Sequence, residues 1–335
     1  MLRGVEVLVP SISIITPSLN QGDFIERAIR SVLDQDISGL EHAVIDGGST
    51  DETLNILRRF EGRLDWISET DRGQADAVNK GIKGTKGGVI GWLNSDDIYY
   101  PGSLSVVLSF FEKHPGVDVV YGDGNHIDVE DRVIEPYPTK PWSFERLKAG
   151  CFLCQPGVFF RRSVVDRFGL LDEDLKYCLD YEYWLRLAER GARFAHIRRT
   201  LAATRLHPVS KTLGVRMKVI HETMDMLHQR LGYVPDEWLL SYARVFLNRK
   251  GERRLDGGRL DTVLPTLTEP IFARRRLWTM CVSPLFAASA VFISLFAALR
   301  WNRRITRNML RILVEWIRGH AQTLMRRFFS VEDRG

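Results

Sequence analysis

Between Ser11 and Gly122 the chain alternates five short β-rich runs with four amphipathic stretches, and this alternation constrains its fold more than any other feature. The runs are Ser11–Thr16 (SISIIT), Glu41–Asp46 (EHAVID), Leu64–Ser68 (LDWIS), Gly88–Leu93 (GVIGWL) and Asp118–Gly122 (DVVYG). The stretches between them are Phe24–Gln35, Asp51–Phe60, Gln74–Gly84 and Gly102–Lys113. A βαβα order predicts an α/β fold with a mostly parallel central sheet and flanking helices, because parallel neighbours need a crossover long enough to hold a helix. In such sheets ligands gather beyond the C-terminal ends of the strands. The polar clusters Thr16–Asn20, Asp46–Asp51, Glu69–Gln74 and Asn94–Asp97 all fall at such ends.

The last cluster is the sharpest. Val89–Leu93 reads as a strand buried on both faces, yet Asn94, Ser95, Asp96 and Asp97 follow it directly. Asp96 and Asp97 on a tight turn are hard oxygen ligands, suited to a divalent cation that keeps waters and bridges to substrate phosphates. The same residues are also favoured for turning a chain and capping the helix that begins near Pro101, and the cluster alone does not separate the two readings. Neither GxGxxG after the first run nor GxxxxGK[ST] is present, which argues against a dinucleotide oxidoreductase or a P-loop enzyme.

Past Asp123 the pattern changes to a hairpin turning at Glu130 and Asp131, a short strand at Gly157–Arg162, a helix at Leu179–Arg190 and a helical region from about Val215 to Asn248. Arg249–Asp261 is a charged, glycine-bearing linker. Leu277–Leu299 then runs 23 residues without a charge, long enough for a bilayer core of roughly 30 Å. Ile305–Phe329 follows as a basic amphipathic helix. The formal net charge of +5 sits mostly in this arginine-rich tail, too mild and too local to indicate nucleic acid. The N-terminus shows no signal peptide, so the chain is expected on the cytoplasmic face of a membrane, peripheral or C-terminally anchored. More arginine follows the apolar run than precedes it, which favours shallow insertion over a span. Cys151, Cys154, Cys178 and Cys281 are too few and scattered for a disulfide framework, and the CxxC pair reads as packing thiols.

Five segments in order, SIITPSLNQGDFIERAIRSVLDQ, AVIDGGSTDETLNIL, SETDRGQADAVNKGI, IGWLNSDDIYYPGSL and LDYEYWLRLAERG, make Ser11–Ser210 resemble the family 2 glycosyltransferases. The resemblance implies a GT-A fold, Rossmann-like with a mostly parallel central sheet; the C-terminal helical, membrane-associating region after it is read from the apolar run and the basic segment. The resemblance also implies transfer of a sugar from a nucleotide-diphosphate donor to an acceptor hydroxyl with inversion, in polysaccharide or glycolipid assembly, the acceptor being a sugar or a lipid-linked sugar. With the linker, apolar run and basic helix read above, the expected division is a catalytic domain at 1–215, a helical extension and linker at 216–261, and the hydrophobic and basic segments at 262–335. By the same resemblance Thr16, Pro17, Ser18 and Asn20 belong to the loop against the nucleoside, and Asp46 is the carboxylate on the base. Arg72, Gly73, Gln74, Asp76 and Asn79 flank the donor phosphates and sugar.

Asn94, Ser95 and Asp96 occupy the DxD position, with Asp97 beside them and Asp96 as ligand to Mn2+ or Mg2+. Asn94 departs from the commoner aspartate, and Asn94→Asp would tighten the metal if that side chain faces the site. Asp180 matches the catalytic base, which alone would otherwise read as a helix N-cap. Arg186 lies further along the same helix, placed to pair with a carboxylate. His207 matches a histidine near diphosphate or metal, the alternative being a surface histidine held by its loop. A sugar-1-phosphate nucleotidyltransferase would need a basic glycine-rich loop where TPSLNQGD stands, and a nucleic-acid binder a motif that is absent. A non-catalytic nucleotide-sugar module or membrane scaffold is opposed by the presence of Asp46, Asp96 and Asp180 together.

Overall fold

A computed structural model of the chain describes residues 12–207 and 215–239, with 241, 242 and 245. Strands β1 (Ile12–Ser18), β2 (Leu40–Asp46), β3 (Asp65–Ser68) and β4 (Val89–Trp92) pair in parallel, as the alternation predicts, and their order is β3-β2-β1-β4. Their crossovers are α1 (Ile25–Leu33), α2 (Thr53–Arg59) and α3 (Gln74–Gly84). Beyond β4 the sheet becomes mixed. Strand β8 (Val158–Arg161) enters antiparallel to both β4 and β6 (Val119–Ile127), and β9 (Phe194–Arg205) lies parallel to β6. The edges beyond are β5 (Ile98–Tyr99) against β9 and β7 (Val133–Pro136) against β6. The β6–β7 hairpin turns where the sequence places it, with Asp131 at φ 67°.

Each crossover helix buries one stripe. In α1, Ile25, Ala28, Ile29 and Val32 recur at helical spacing, as do Leu104, Val107, Leu108 and Phe111 in α4 (Ser103–Lys113). Ala28 and Val32 join the α4 residues over Ile12, Ile14, Val89, Val120 and Phe159 from the sheet, while Ile25 and Ile29 cluster with Val44, Ile56 and Leu57. Helix α3 lies against β1 so closely that a Cβ at Gly81 would stand 2.4 Å from Ile15 Cγ2. This contact fixes the height at which α3 presents its N-terminal residues beside the strand ends.

Three further helices complete this part: α5 (Phe144–Ala149), α6 (Arg162–Phe168) and α7 (Leu179–Glu189). Contacts divide the chain into two compact units, Met1–Leu147 with Cys151–Gly214, and Lys148–Gly150 with Val215–Gly335. The second contains α8 (Arg216–Leu231), whose Ile220 and Met224 cluster with Val234, Leu239 and Val245. The linker at 249–261, the apolar run at 277–299, the basic segment at 305–329 and Cys281 lie outside the described residues. Among the described residues no helix is long and apolar enough to cross a membrane.

Candidate active site

The parallel strands end in a row, and the loops leaving them are stitched together. Asp46, the last residue of β2, is fully buried and accepts four hydrogen bonds. Its Oδ2 takes the amides of Gly48 (3.1 Å) and Ser49 (2.8 Å) and the Ser68 hydroxyl (2.6 Å), while Oδ1 takes the Ser49 hydroxyl at 2.5 Å. Asn20 joins the β1 loop to this one. Its amide donates to Ser49 Oγ at 2.7 Å and its Oδ1 accepts from the Thr50 amide at 2.9 Å. Ser18, paired with Asp46 across the sheet, has a buried hydroxyl with no partner among the described residues. Pro17 is buried in β1 beside Ile45.

Thr16 is not part of this row. It is completely buried, and its hydroxyl lies 3.0 Å from His42 Nε2. The nucleoside contact expected of Thr16 is replaced by this interior bond. Burial drives the His42 pKa down from 6.5 to about 3, so the imidazole folds neutral. The unfolded chain therefore binds a proton that the folded chain refuses between pH 6.5 and about 3, and stability falls as pH drops through that window. Denaturant midpoints should decline from pH 7 to pH 5 in the wild type, and His42→Gln should flatten part of that slope.

At the end of β4, Asn94 is a hydrogen-bond hub. Its Oδ1 accepts from Gln74 Nε2 (2.7 Å) and Trp92 Nε1 (2.8 Å); its Nδ2 donates to Asp97 Oδ2 (3.1 Å) and Gln155 Oε1 (2.9 Å). Gln155 closes the circle by donating to the Trp92 carbonyl at 2.7 Å. Only a side chain that donates and accepts at once satisfies these four neighbours, which is why an amide stands where an aspartate is commoner. The expectation that Asn94→Asp tightens a metal is thereby corrected. The variant loses both donors and sets a third carboxylate against Asp97, so stability should fall by about 1–3 kcal/mol in chemical denaturation, with no gain in Mn2+ affinity.

Asp97 also differs from its expected role. It is 2% exposed and accepts from the Arg205 amide at 3.0 Å, from Asn94 and from Thr204. Burial, and then the charge of Asp96, push its carboxyl up to about 8. Asp97 ties the strand-end turn to β9. Ser95 is buried beside it. Asp96 keeps 22% of its side chain exposed, and its Oδ2 meets His207 Nε2 at 3.0 Å. His207 is 4% exposed and packs on Phe24 with ring centroids 4.8 Å apart, so the surface-histidine alternative does not hold.

The residues around α3 fall into two groups. Gly73, at φ 130°, gives the sharp entry into the helix that only glycine adopts readily, and its amide donates to Asp71 Oδ1 at 2.9 Å. Gln74 reaches Asn94, as above. Asp76 accepts from the Arg72 amide at 3.1 Å, which holds its pKa below the usual range. Asn79 is buried and clips the chain before α7: it donates to the Leu171 carbonyl and Glu173, and accepts from the Leu171 amide. Its expected donor contact gives way to this structural one. Arg72, 72% exposed, pairs with Asp76 and Glu173.

Arg186 is likewise internal. It pairs with Glu182 through Nε at 2.9 Å and Nη2 at 3.0 Å, and donates to the carbonyls of Phe168 and Leu170, each at 2.8 Å. The two carbonyl bonds fix α7 to the end of α6, while the Glu182 pair lies within α7.

Asp180 stands in the first turn of α7, half-buried, with Cys178 at the N-cap position; the N-cap alternative for Asp180 is thus removed. A carboxylate there is favoured by the helix dipole. Burial, and then the Asp180 charge, push the Cys151 thiol up; Cys154 is raised by burial and then by Asp97. Gln155, four residues beyond Cys151, is bonded to Asn94 and to the Trp92 carbonyl at the β4 turn. Cys154 and Cys178 are buried.

Among the described residues no three His, Cys, Asp or Glu side chains converge on a closed metal cage. Asp96 and His207 nonetheless fit an open one. Two adjacent donors on an octahedral ion, each about 2.1 Å from it, stand about 3 Å apart, and waters with diphosphate oxygens complete such a shell. The sequence reading missed Ser49, Ser68, Asp71, Gln155, Glu173 and Arg205. Asp71 was visible at the end of β3: burial raises its carboxyl, and a Cβ at Gly47 would lie 2.8 Å from its Oδ2.

The family model for Glycosyl transferase family 2 matches residues 13–169. An uncharacterized glycosyltransferase of Rickettsia prowazekii is 27% identical over 304 residues, covering 80% of this chain and 92% of the relative. A PGL/p-HBAD biosynthesis glycosyltransferase of Mycobacterium bovis is 30% identical over 200 residues, covering 56% of this chain and 75% of the relative. The chondroitin synthase of Escherichia coli is 30% identical over 230 residues, 65% of this chain but 33% of the synthase, so the chain spans about a third of that enzyme. Among solved structures, S. aureus TarS in complex with UDP-GlcNAc matches with a TM-score of 0.55 and 16% identity, over 84% of this chain and 80% of that one. The mannosyltransferase PcManGT from Pyrobaculum calidifontis, in complex with GDP-Man and Mn2+, matches at 0.50 and 18%, over 95% and 81%. At such identities the two structures speak for the fold, a mixed α/β sheet of the GT-A kind. Sequence motifs, fold and relatives agree: the chain is a glycosyltransferase and belongs to glycosyl transferase family 2.

Proposed function

We propose that the chain transfers a sugar from a nucleotide-diphosphate donor to an acceptor hydroxyl with inversion at the anomeric carbon. The observation that carries this reading is the partly open Asp96–His207 pair, beyond the C-terminal end of β4 and in line with the ends of β1 and β2. This pair would hold Mn2+ or Mg2+. A cation bound there supplies neutralisation of charge on the departing diphosphate. Asp46 is the group for the base: an N–H of the base would take the place of one hydroxyl donor now on its carboxylate, and Ser18 offers an unpartnered hydroxyl beside it. Asp180 accepts the proton of the acceptor hydroxyl as its oxygen attacks. Complexes of the structural neighbours with UDP-GlcNAc and with GDP-Man and Mn2+ support a nucleotide-sugar donor, and the chondroitin synthase relative supports polysaccharide or glycolipid assembly. The test is product analysis with α-linked nucleotide sugars: a β-linked product supports the proposal, and an α-linked product contradicts inversion.

The apolar run at Leu277–Leu299 and the arginines after it place the enzyme at the cytoplasmic face of a membrane in this reading, suited to a lipid-linked acceptor. Full-length protein should sediment with membranes and resist high-salt washing. A full-length chain that is monomeric in detergent-free buffer would contradict the membrane address.

A further inference from the structure

Arg205, at the end of β9, has a side chain with no exposure at all. Burying a guanidinium costs several kcal/mol unless carbonyls and carboxylates surround it, so its partners show what it is kept for. They come from two separate places. Its Nε donates to the backbone carbonyl of Asp96 at 2.8 Å, and its own amide to Asp97 Oδ1 at 3.0 Å. Its Nη1 donates to the Asp128 carbonyl at 2.7 Å and pairs with Asp131, both in the turn of the β6–β7 hairpin. Asp131 holds a left-handed backbone angle, φ 67°, that a non-glycine residue adopts at some cost.

Arg27 of α1 fastens the same turn, donating to the Val129 carbonyl at 2.8 Å and to Asp131 at 3.1 Å. Between these arginines lies the ring of Phe24, 5.2 Å from the Arg205 guanidinium and 5.4 Å from that of Arg27, and the same ring carries His207. Arg205 thus grips the main chain of one member of the Asp96–His207 pair, precedes the other by two residues, and shares with it one aromatic support.

We propose that Arg205 is a positioning residue for the Asp96–His207 pair, and that the hairpin turn acts on this pair through the Asp131–Arg205 link. The proposal rests on the reading of the pair as cation ligands. A planar fork that serves two segments at once is not replaced by a lysine ammonium. Outer partners of metal ligands commonly change affinity 10- to 100-fold when altered.

The test uses the full chain and Mn2+, followed by loss of the free-ion electron paramagnetic resonance signal in the presence of UDP and, in separate samples, GDP. Thermal unfolding without metal is recorded in parallel. Arg205→Lys should weaken Mn2+ binding ~10- to 100-fold, and Asp131→Asn about 10-fold at a nearly unchanged unfolding midpoint. The double variant should bind no more weakly than Arg205→Lys alone, because both changes break one link. If Arg205→Lys does not fold, Asp131→Asn carries the test by itself. Asp96→Ala is the control. Normal Mn2+ binding by Asp96→Ala overturns the cation-pair reading and this proposal with it. Loss of binding in Asp96→Ala, with normal binding in Asp131→Asn and Arg205→Lys, leaves the pair standing and overturns only the role of Arg205.

Discussion

Asp180→Asn is expected to lower turnover ~10²–10⁴-fold while leaving the donor dissociation constant nearly unchanged. The amide keeps the shape of the carboxylate and its place in the first turn of α7, but it cannot accept the acceptor's proton. Nothing in the donor row changes: Asp46 and Asp96 leave from other strands, and α7 is held on α6 by Arg186 independently of residue 180. The loss should therefore appear in kcat, with donor binding by calorimetry as the control. Wild-type turnover in this variant would remove Asp180 from the chemistry.

The second large effect is expected from Asp96→Ala, which should cost the cation-dependent part of donor affinity, ~10²-fold or more in the presence of Mn2+. The substitution removes one of two candidate protein ligands and leaves His207 without its partner. The fold has little reason to suffer, since Asp96 is the exposed member of the turn and its backbone carbonyl, the part that Arg205 grips, remains. Far-ultraviolet circular dichroism should match the wild type, and excess chelator should reduce wild-type binding to the level of the variant. Equal donor binding by variant and wild type in Mn2+ would return the NSDD cluster to a turn and a cap.

Much of this was legible because it is local. The alternation of runs and stretches is written in spacing, and the parallel pairing of β1 to β4 with polar strand ends follows from it, though their order does not. Strand β9 was not legible as a run: Arg198 and Arg199 interrupt it, and the structure absorbs them where the register against β6 jumps from Gly122–Ile197 to Asp123–Thr200. Several side chains have partners that position alone does not reveal. Asn94, Asn79 and Arg186 have partners at Gln155, Leu171 and Phe168, brought to them by the fold and invisible in the neighbouring sequence. Arg205 escaped notice on the same ground, since its partners lie 77 and 109 residues away. Asp46, whose partners Gly48 and Ser49 are its neighbours, was readable from the motif alone.

The central claim is that the row of strand ends binds a nucleotide sugar with the help of a cation at Asp96 and His207. The most direct test is calorimetric titration of the full-length protein with a panel of uridine, guanosine and other nucleotide sugars, each with Mn2+ and again with excess chelator. The account predicts that one nucleotide class binds with Mn2+ and that chelator weakens this binding at least tenfold. Binding of no nucleotide sugar, or binding that chelator leaves unchanged, would contradict it.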